Sequence, residues 1–372
     1  MSKKSFFFAG GGTGGHIYPA LAIAERLIDL ETDARIHFFC SNRPIDSQIL
    51  SKTNFEYTKL PAASFAAQPS AIIKFGRSFL KSYSVAKRVL AKTGQAVVIG
   101  LGGFVSAPVC LAAYRLKIPA VLLNTDAVPG RANKLLVRWA DEIFVQFEDT
   151  AEYFVKRKAK VHIVGCPLRK GFENPRPERT VSELGLNKNK KTLLVTGASS
   201  GSASINDAVC SLLEKLNSFS DTWQIVHLAG AGDYQKVKES YDAAQISHIV
   251  LDYWDDMPNL LAAADLVIGR SGAVSVAEYA AAGVPSICMP YPYHRDRHQY
   301  LNAGKLVSVG AAVIVDDLPD AAERGQWLWE ELELLLKDDN KREEMEKNCE
   351  AIANTKAASK IAERLLKIVV SE

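Results

Sequence analysis

A doubly wound α/β fold, present twice, is the architecture this sequence predicts, and three features predict it. Short apolar runs alternate with amphipathic stretches along the chain. The first apolar run ends in a glycine-rich turn that leads straight into a helical pattern. Past a Pro- and charge-rich stretch near the middle, the same order of strand, glycine turn and helix begins again.

Phe6–Ala9 is short and uniformly apolar, as a parallel strand covered on both faces must be. The Met-Ser-Lys-Lys before it has the charge of a secretory signal. The apolar stretch is too short for one and glycines follow at once, so the reading is a buried strand. Further strands are expected at 36–39, 96–99, 119–123 and 143–145, with helices at 18–30, 79–92 and 130–140 between them. From 161 to 175 the pattern breaks, and Asn174-Pro-Arg-Pro-Glu-Arg179 reads as a linker. Strands resume at 192–195, 224–228, 247–251, 266–268, 285–289 and 311–315, and one long helical segment covers 341–370. The domains expected are 1–165, a linker at 166–190, and 191–372. Whether the last helix packs on its own domain or back on the first is left open.

With 372 residues the chain exceeds one ordinary core. No apolar run reaches the length of a membrane span. Six scattered cysteines without a C-x-x-C pair read as small apolar fillers in a reducing cytosol rather than as metal or disulfide sites. The net charge of +3 is unevenly spread. Residues 1–140 hold 18 Lys and Arg against 7 Asp and Glu, while Tyr57 to Thr125 has nine basic residues and no acidic one. Such a surface attracts phosphates or anionic lipid; nucleic acid is set aside because no binding module accompanies the charge.

Four segments can carry chemistry. Gly10-Gly-Gly-Thr13-Gly14-Gly15-His16 follows a strand and opens a helix, so its backbone can approach an anionic group and the helix N-terminus favours it. The same glycines satisfy a dinucleotide fingerprint, with Glu31 or Asp33 as the ribose acid, so a nicotinamide reading stands at this point. His16, at the tip of the turn, can exchange protons near neutral pH. Gly102-Gly103 makes a second strand-to-helix turn at the same sheet edge. In the second half, Arg270-Ser271-Gly272-Ala273 precedes an Ala-rich helix, and Glu278 lies two turns further on, where a carboxylate can accept from a ribose diol. Finally, His294-Arg-Asp296-Arg-His298-Gln299 crowds planar polar groups after a strand, which suits recognition of sugar hydroxyls.

Taken in order, these segments resemble the MurG family of peptidoglycan N-acetylglucosaminyltransferases over roughly residues 5–315. The glycine loop with His16, the Gly-Gly-Phe-Val-Ser-Ala-Pro108 turn and Asn133-Lys134 look like the family's N-terminal domain. Gly165-Cys-Pro-Leu-Arg169 looks like its linker. Arg270-Ser-Gly-Ala with Glu278, and Asp296-Arg-His-Gln-Tyr-Leu-Asn-Ala303, look like its donor motifs.

The resemblance implies two Rossmann-like domains facing across a cleft (the GT-B arrangement). It implies a UDP-N-acetylglucosamine donor, an undecaprenyl-diphosphate-linked muramyl pentapeptide as acceptor, and inversion without a metal. It places the chain in the cytoplasm, peripherally on the inner face of the anionic membrane. By the same resemblance, Thr13, Gly14, Gly15, Asn124, Arg169, Ser199, Ser271, Gly272, Ala273, Glu278, His298 and Gln299 serve the donor. The resemblance has His16 face the acceptor, and its proton chemistry makes it the leading base. Asp126, which stands where the text departs from the family's, adds a carboxylate that competes for that role.

Three segments depart from the family's usual text: Leu123-Asn124-Thr125-Asp126 for His-Glu-Gln-Asn, Gly197-Ala-Ser-Ser-Gly-Ser202 for Gly-Gly-Ser-Gln-Gly-Ala, and His298-Gln299 for paired glutamines. A related transferase with another donor or acceptor, or a non-catalytic nucleotide-binding paralogue, therefore remains the alternative.

Overall fold

The structure is a computed structural model that describes residues 3–12, 14–62, 69–155 and 159–370. The chain forms two compact units, Met1–Arg169 with Lys356–Glu372, and Lys170–Thr355.

The first unit holds a seven-stranded parallel sheet: β1 (Ser5–Ala9), β2 (Arg35–Cys40), β3 (Glu56–Lys59), β4 (Ala96–Gly100), β5 (Ala120–Asn124), β6 (Glu142–Val145) and β7 (Lys160–Ile163). Their order is β3-β2-β1-β4-β5-β6-β7. The chain direction of growth therefore reverses between β1 and β4, and the crevice of a doubly wound sheet opens there.

The apolar run of β1 has a simple cause. Phe6 and Phe8 pack into one core with Ile17, Ala20 and Leu27 of the helix Gly14–Leu30, while Phe7 and Ala9 face the other core with Val105 and Val109. Both faces are covered from Phe6 to Ala9, and these four positions are apolar. The helix Ala357–Val370 completes the first of these cores with Ile361, Ala362, Leu365 and Val369, packing on Gly14–Leu30. Nε of Arg364 donates to both carboxylate oxygens of the buried Glu142, at 3.0 and 2.9 Å. Burial works to raise the Glu142 carboxyl, but Arg364 and His162 outweigh it and hold the group below its ordinary value.

The second unit repeats the plan in six parallel strands: β8 (Lys191–Thr196), β9 (Trp223–Leu228), β10 (Ser247–Leu251), β11 (Leu266–Gly269), β12 (Ser286–Cys288) and β13 (Ala312–Ile314). The order is β10-β9-β8-β11-β12-β13, with its reversal between β8 and β11.

The structure departs from the sequence reading in several places. Residues 161–163, read as the start of a linker, belong to β7, a half-exposed edge strand. Within 166–190, Pro177–Leu184 is a helix of the second unit. The segment 130–140 is only a short helix, Arg131–Leu136, tightening into a 3-10 turn at Val137–Trp139. The helical segment 341–370 is two helices, Asp339–Cys349 and Ala357–Val370, which belong to different units.

Candidate active site

The site in the first unit is built at the carboxyl ends of β1, β4 and β5. After Ala9 the chain turns through Gly11 and Gly12, with φ of +149° and +91°, which a side chain would strain. The turn is held from beneath by Asp46, whose carboxylate is fully buried. It accepts from Gly12 N at 2.8 and 2.9 Å, from Ser41 N at 2.9 Å and from the Ser41 hydroxyl at 2.6 Å. Arg43 Nη1 donates to the Gly12 carbonyl at 2.8 Å. A Cβ on Gly11 would stand 2.2 Å from Asp46 Oδ2.

The Gly12 end of the loop is therefore closed to an anion. The Gly12 amide is spent on the protein's own carboxylate, and a ligand phosphate brought against it would meet a like charge. A dinucleotide pyrophosphate is disfavoured there for the same reason. Gly14 and Gly15 still open the helix, where first-turn N–H groups lack intrahelical partners. Thr13 lies outside the described residues.

His16 is half-buried, and its Nδ1 lies 3.1 Å from the Gly11 carbonyl. A carbonyl only accepts, so Nδ1 carries the proton, and in the neutral ring Nε2 keeps its lone pair. Nε2 looks over the second glycine turn: a Cβ at Gly102 would sit 3.7 Å from it. Gly102 and Gly103 have φ of +92° and +73°. The buried Ser106 hydroxyl ties this turn to β1, lying 2.5 Å from the Ala9 carbonyl and 2.6 Å from that of Gly102.

A cleft of about 60 Å³, room for a few waters, is lined by His16, Gly102, Asn124, Asp126 and Asn133 among others. Asp126 thus shares the cleft with His16. Asn124, read as a donor contact, is buried; its Nδ2 donates to the Asp126 carbonyl at 2.7 Å and its Oδ1 accepts from Asn133 at 3.0 Å. Both ends of its amide are engaged in shaping the cleft. Arg169 also belongs to this unit, with its guanidinium 4.9 Å from the Tyr18 ring centre.

The site in the second unit lies at the carboxyl ends of β8, β11 and β12. The half-buried Ser199 sits in the turn after β8. Gly201, at φ +74°, presses on the Ala229 carbonyl so closely that a Cβ would lie 2.4 Å from it. Gly272 caps the helix Ala273–Ala282 without a side-chain cap of its own, so the amides of Ala273 and its successors face outward at a positive helix end. Glu278, on that helix, is half-buried. Ser271 is fully buried and its hydroxyl donates to the Gln299 carbonyl at 3.0 Å, so the side chain serves the loop. The Gln299 side chain accepts from Tyr291 N at 2.9 Å, which orients the amide and turns its NH₂ end to donate elsewhere.

Arg270 gathers these loops. Its Nη2 reaches the Ser202 hydroxyl at 2.7 Å, the Ser204 hydroxyl at 2.8 Å and Asp317 at 2.8 Å, and its Nη1 reaches the Met289 carbonyl at 2.8 Å. Sequence reasoning missed Asp46 and Asp317, which lie far along the chain from the motif residues they hold, Gly12 and Arg270. Burial of a lone acid would be the signal, and only the fold reveals it.

His298 is engaged on both ring nitrogens: Nδ1 lies 2.7 Å from Asp296 Oδ1, and Nε2 lies 3.0 Å from His294 Nδ1. Partial burial works to raise Asp296, but the bond from His298 brings the carboxyl below its ordinary value.

Two doubly wound units, each with a glycine turn and a helix N-terminus at its switch point, make the two-domain plan suited to a sugar-nucleotide-dependent enzyme. Residues 6–145 match the glycosyltransferase family 28 N-terminal domain, and residues 192–365 match that family's C-terminal domain.

The chain belongs to the MurG family of glycosyltransferases. It is 34% identical over 356 residues to the UDP-N-acetylglucosamine–N-acetylmuramyl-(pentapeptide) pyrophosphoryl-undecaprenol N-acetylglucosamine transferase of Thermodesulfovibrio yellowstonii, covering 95% of this chain and 96% of that one. The protein of the same description from Halothermothrix orenii is 36% identical over 350 residues, covering 91% and 92%. The crystal structure of Acinetobacter baumannii MurG superposes with a TM-score of 0.71 at 26% identity, covering 98% of this chain and 99% of that one. Staphylococcus aureus MnaA, solved with UDP, shares the fold at 14% identity, with a TM-score of 0.70 over 100% of this chain and 98% of its own.

Proposed function

We propose that this enzyme moves N-acetylglucosamine from UDP-N-acetylglucosamine to the muramyl pentapeptide carried on undecaprenyl diphosphate. The reading rests on relatives of that description matching nearly the full chain. The observation that carries the chemistry is His16, whose proton is fixed on Nδ1 by the Gly11 carbonyl.

Transfer is a single displacement with inversion. The acceptor hydroxyl oxygen bonds to the anomeric carbon as the bond to UDP breaks, and the hydroxyl proton passes to His16 Nε2. Asp126 shares the cleft and is the second candidate for that proton. Charge growing on UDP is met by the helix N-terminus at Gly272 and Ala273, whose fixed amides need no reorganisation. Glu278 takes the ribose diol, Gln299 donates to the sugar, and Ser199 and Arg169 support the nucleotide. Gly14 and Gly15 serve the diphosphate of a substrate through first-turn amides.

The helix Pro69–Leu90 carries the membrane side of the proposal. Ile72, Ile73 and Leu80 are exposed beside exposed Lys74, Arg77 and Lys81. A groove of about 360 Å³ lined by Phe79, Leu80, Tyr83, Lys87, Leu111 and Arg115 adjoins them. Apolar side chains ringed by cations suit an anionic bilayer face. No described helix is long and apolar enough to cross a membrane.

The test is UDP release by the purified chain from a panel of UDP-sugars, with and without a lipid-linked muramyl pentapeptide. Acceptor-dependent release from UDP-N-acetylglucosamine is expected. Release only with another sugar or acceptor moves the protein to a related transferase, and silence despite UDP binding makes it a binding paralogue.

A further inference from the structure

The turn between β12 and the helix His298–Ser308 brings His294, Asp296 and His298 together, with one ligand-type atom from each within 4.8 Å of the others. We propose that this turn is a binding site for a divalent transition-metal cation of the imidazole-preferring kind, Zn²⁺ above all.

The geometry of the two imidazoles is the argument. His294 Nδ1 and His298 Nε2 are 3.0 Å apart, but the ring centres are only 4.3 Å apart and the planes are inclined by 26°. A head-on N–H···N bond of that length would hold the ring centres further apart. The contact is therefore a poor hydrogen bond, because each nitrogen's lone pair lies in its own ring plane and the two planes run side by side. Two nitrogens at this spacing fit a shared cation: with Zn–N bonds of about 2.0–2.1 Å, a tetrahedral bite needs roughly 3.3 Å between them.

Asp296 supplies the outer part of the site. Its Oδ1 accepts from His298 Nδ1 at 2.7 Å, so the proton of that ring is held away from Nε2 and the ring is oriented. A carboxylate behind a ligating histidine raises the basicity of the other nitrogen and fixes its direction. Tyr291 walls the opposite side, with its ring centre 4.9 Å from that of His294. Water completes the coordination, because the group stands open to solvent. The ligand set is nitrogen-rich, which selects zinc, nickel or copper over magnesium and calcium.

Gln299 follows His298 directly, and its amide is fixed by Tyr291. A cation on His294 and His298 therefore ties down the segment that presents Gln299. The site does not depend on the proposed transfer reaction, since occupancy is read by binding alone.

Calorimetric titration of the full-length, untagged chain with ZnCl₂ tests it, with MgCl₂ as the contrast. One Zn²⁺ per chain is expected, with no heat from Mg²⁺. His298→Gln and His294→Ala should each weaken zinc binding at least tenfold, and Asp296→Asn by a smaller factor. Circular dichroism melts of the same variants show whether each remains folded. Zinc affinity unchanged in folded His298→Gln and His294→Ala would overturn the site, as would the absence of saturable binding to the parent chain.

Discussion

The Nδ1 atom of His16 lies 3.1 Å from the carbonyl oxygen of Gly11, five residues earlier and across the glycine turn. The backbone that makes the turn also sets the tautomer of the ring it carries, so the acceptor of protons is Nε2 before any substrate arrives. His16→Ala should lower turnover by about 10²–10⁴ and leave UDP affinity within twofold. Gly102→Ala keeps the imidazole but puts a methyl 3.7 Å from Nε2 on a backbone at φ +92°. It should also slow transfer, with a stability cost of about 1 kcal/mol. Steady-state kinetics beside UDP titration separate these effects, and a near-normal rate in His16→Ala would transfer the role to Asp126.

Asp46 is a charge placed in a dry interior to hold a loop. Asp46→Ala leaves the amides of Gly12 and Ser41 without their acceptor, each unsatisfied buried group costing about 1–3 kcal/mol. Asp46→Asn turns an NH₂ toward at least one donor and should be only partly better. Thermal melts should fall by several degrees in both, with turnover falling alongside. A variant as stable and active as the parent would show that the loop holds itself.

For the donor, Glu278→Ala should weaken UDP binding about tenfold, equivalent to about 1.4 kcal/mol, with the melting temperature unchanged. Calorimetry with UDP alone is sufficient. Equal affinity in the two proteins would remove Glu278 from the nucleotide site.

His227 gives the second unit an acid-sensitive point. The ring is wholly buried, bonded to Tyr241 and Asn206 at 3.0 Å each, and burial pushes its pKa down to about 3. The unfolded chain titrates near the ordinary value of 6.5, so between the two values the unfolded state binds the extra proton. Stability from this residue is therefore full above about pH 6.5 and falls on acidification, by roughly 1.4 kcal/mol per unit until pH 3. Urea unfolding at a series of pH values should show that slope, and His227→Gln should flatten it. A slope of the same size in the variant would assign it to other groups.

Membrane docking through the helix Pro69–Leu90 should need both its apolar and its cationic residues. Ile73→Glu with Leu80→Glu should abolish flotation with phosphatidylglycerol vesicles, and Lys74→Glu with Arg77→Glu should shift it to lower salt. Flotation that ignores both salt and lipid charge would rule out the electrostatic contribution.

How much of this was written in the sequence follows from where each residue's partner lies. The runs at β1, β4, β5 and β6 were readable because both faces are covered and every residue must be apolar. Those at β3 and β7 were not, since these edge strands are only partly buried and carry Glu56, Lys59 and Lys160. His16, Gly102 and the Ser271–Glu278 segment stood out because glycine and histidine at a strand end have few structural uses. Asp46 and Asp317 did not, because their partners Gly12 and Arg270 are 34 and 47 residues away. Asn124 and Ser271 were legible only as polar groups at strand ends. That their polar atoms face inward to shape the loops depends on side-chain directions that sequence spacing does not fix.

The docking of Ala357–Val370 onto Gly14–Leu30 has a consequence for synthesis. The second unit is continuous from Lys170 to Thr355 and can close as soon as that stretch has left the ribosome. The first cannot: the face of Ile17, Leu21 and Leu27 has to wait for Ile361, Leu365 and Val369, which are translated after the whole of the second unit. While the second unit is being made, the nascent chain therefore carries an uncovered apolar face on the part that precedes it, the condition in which a chaperone or a neighbouring chain is most easily captured.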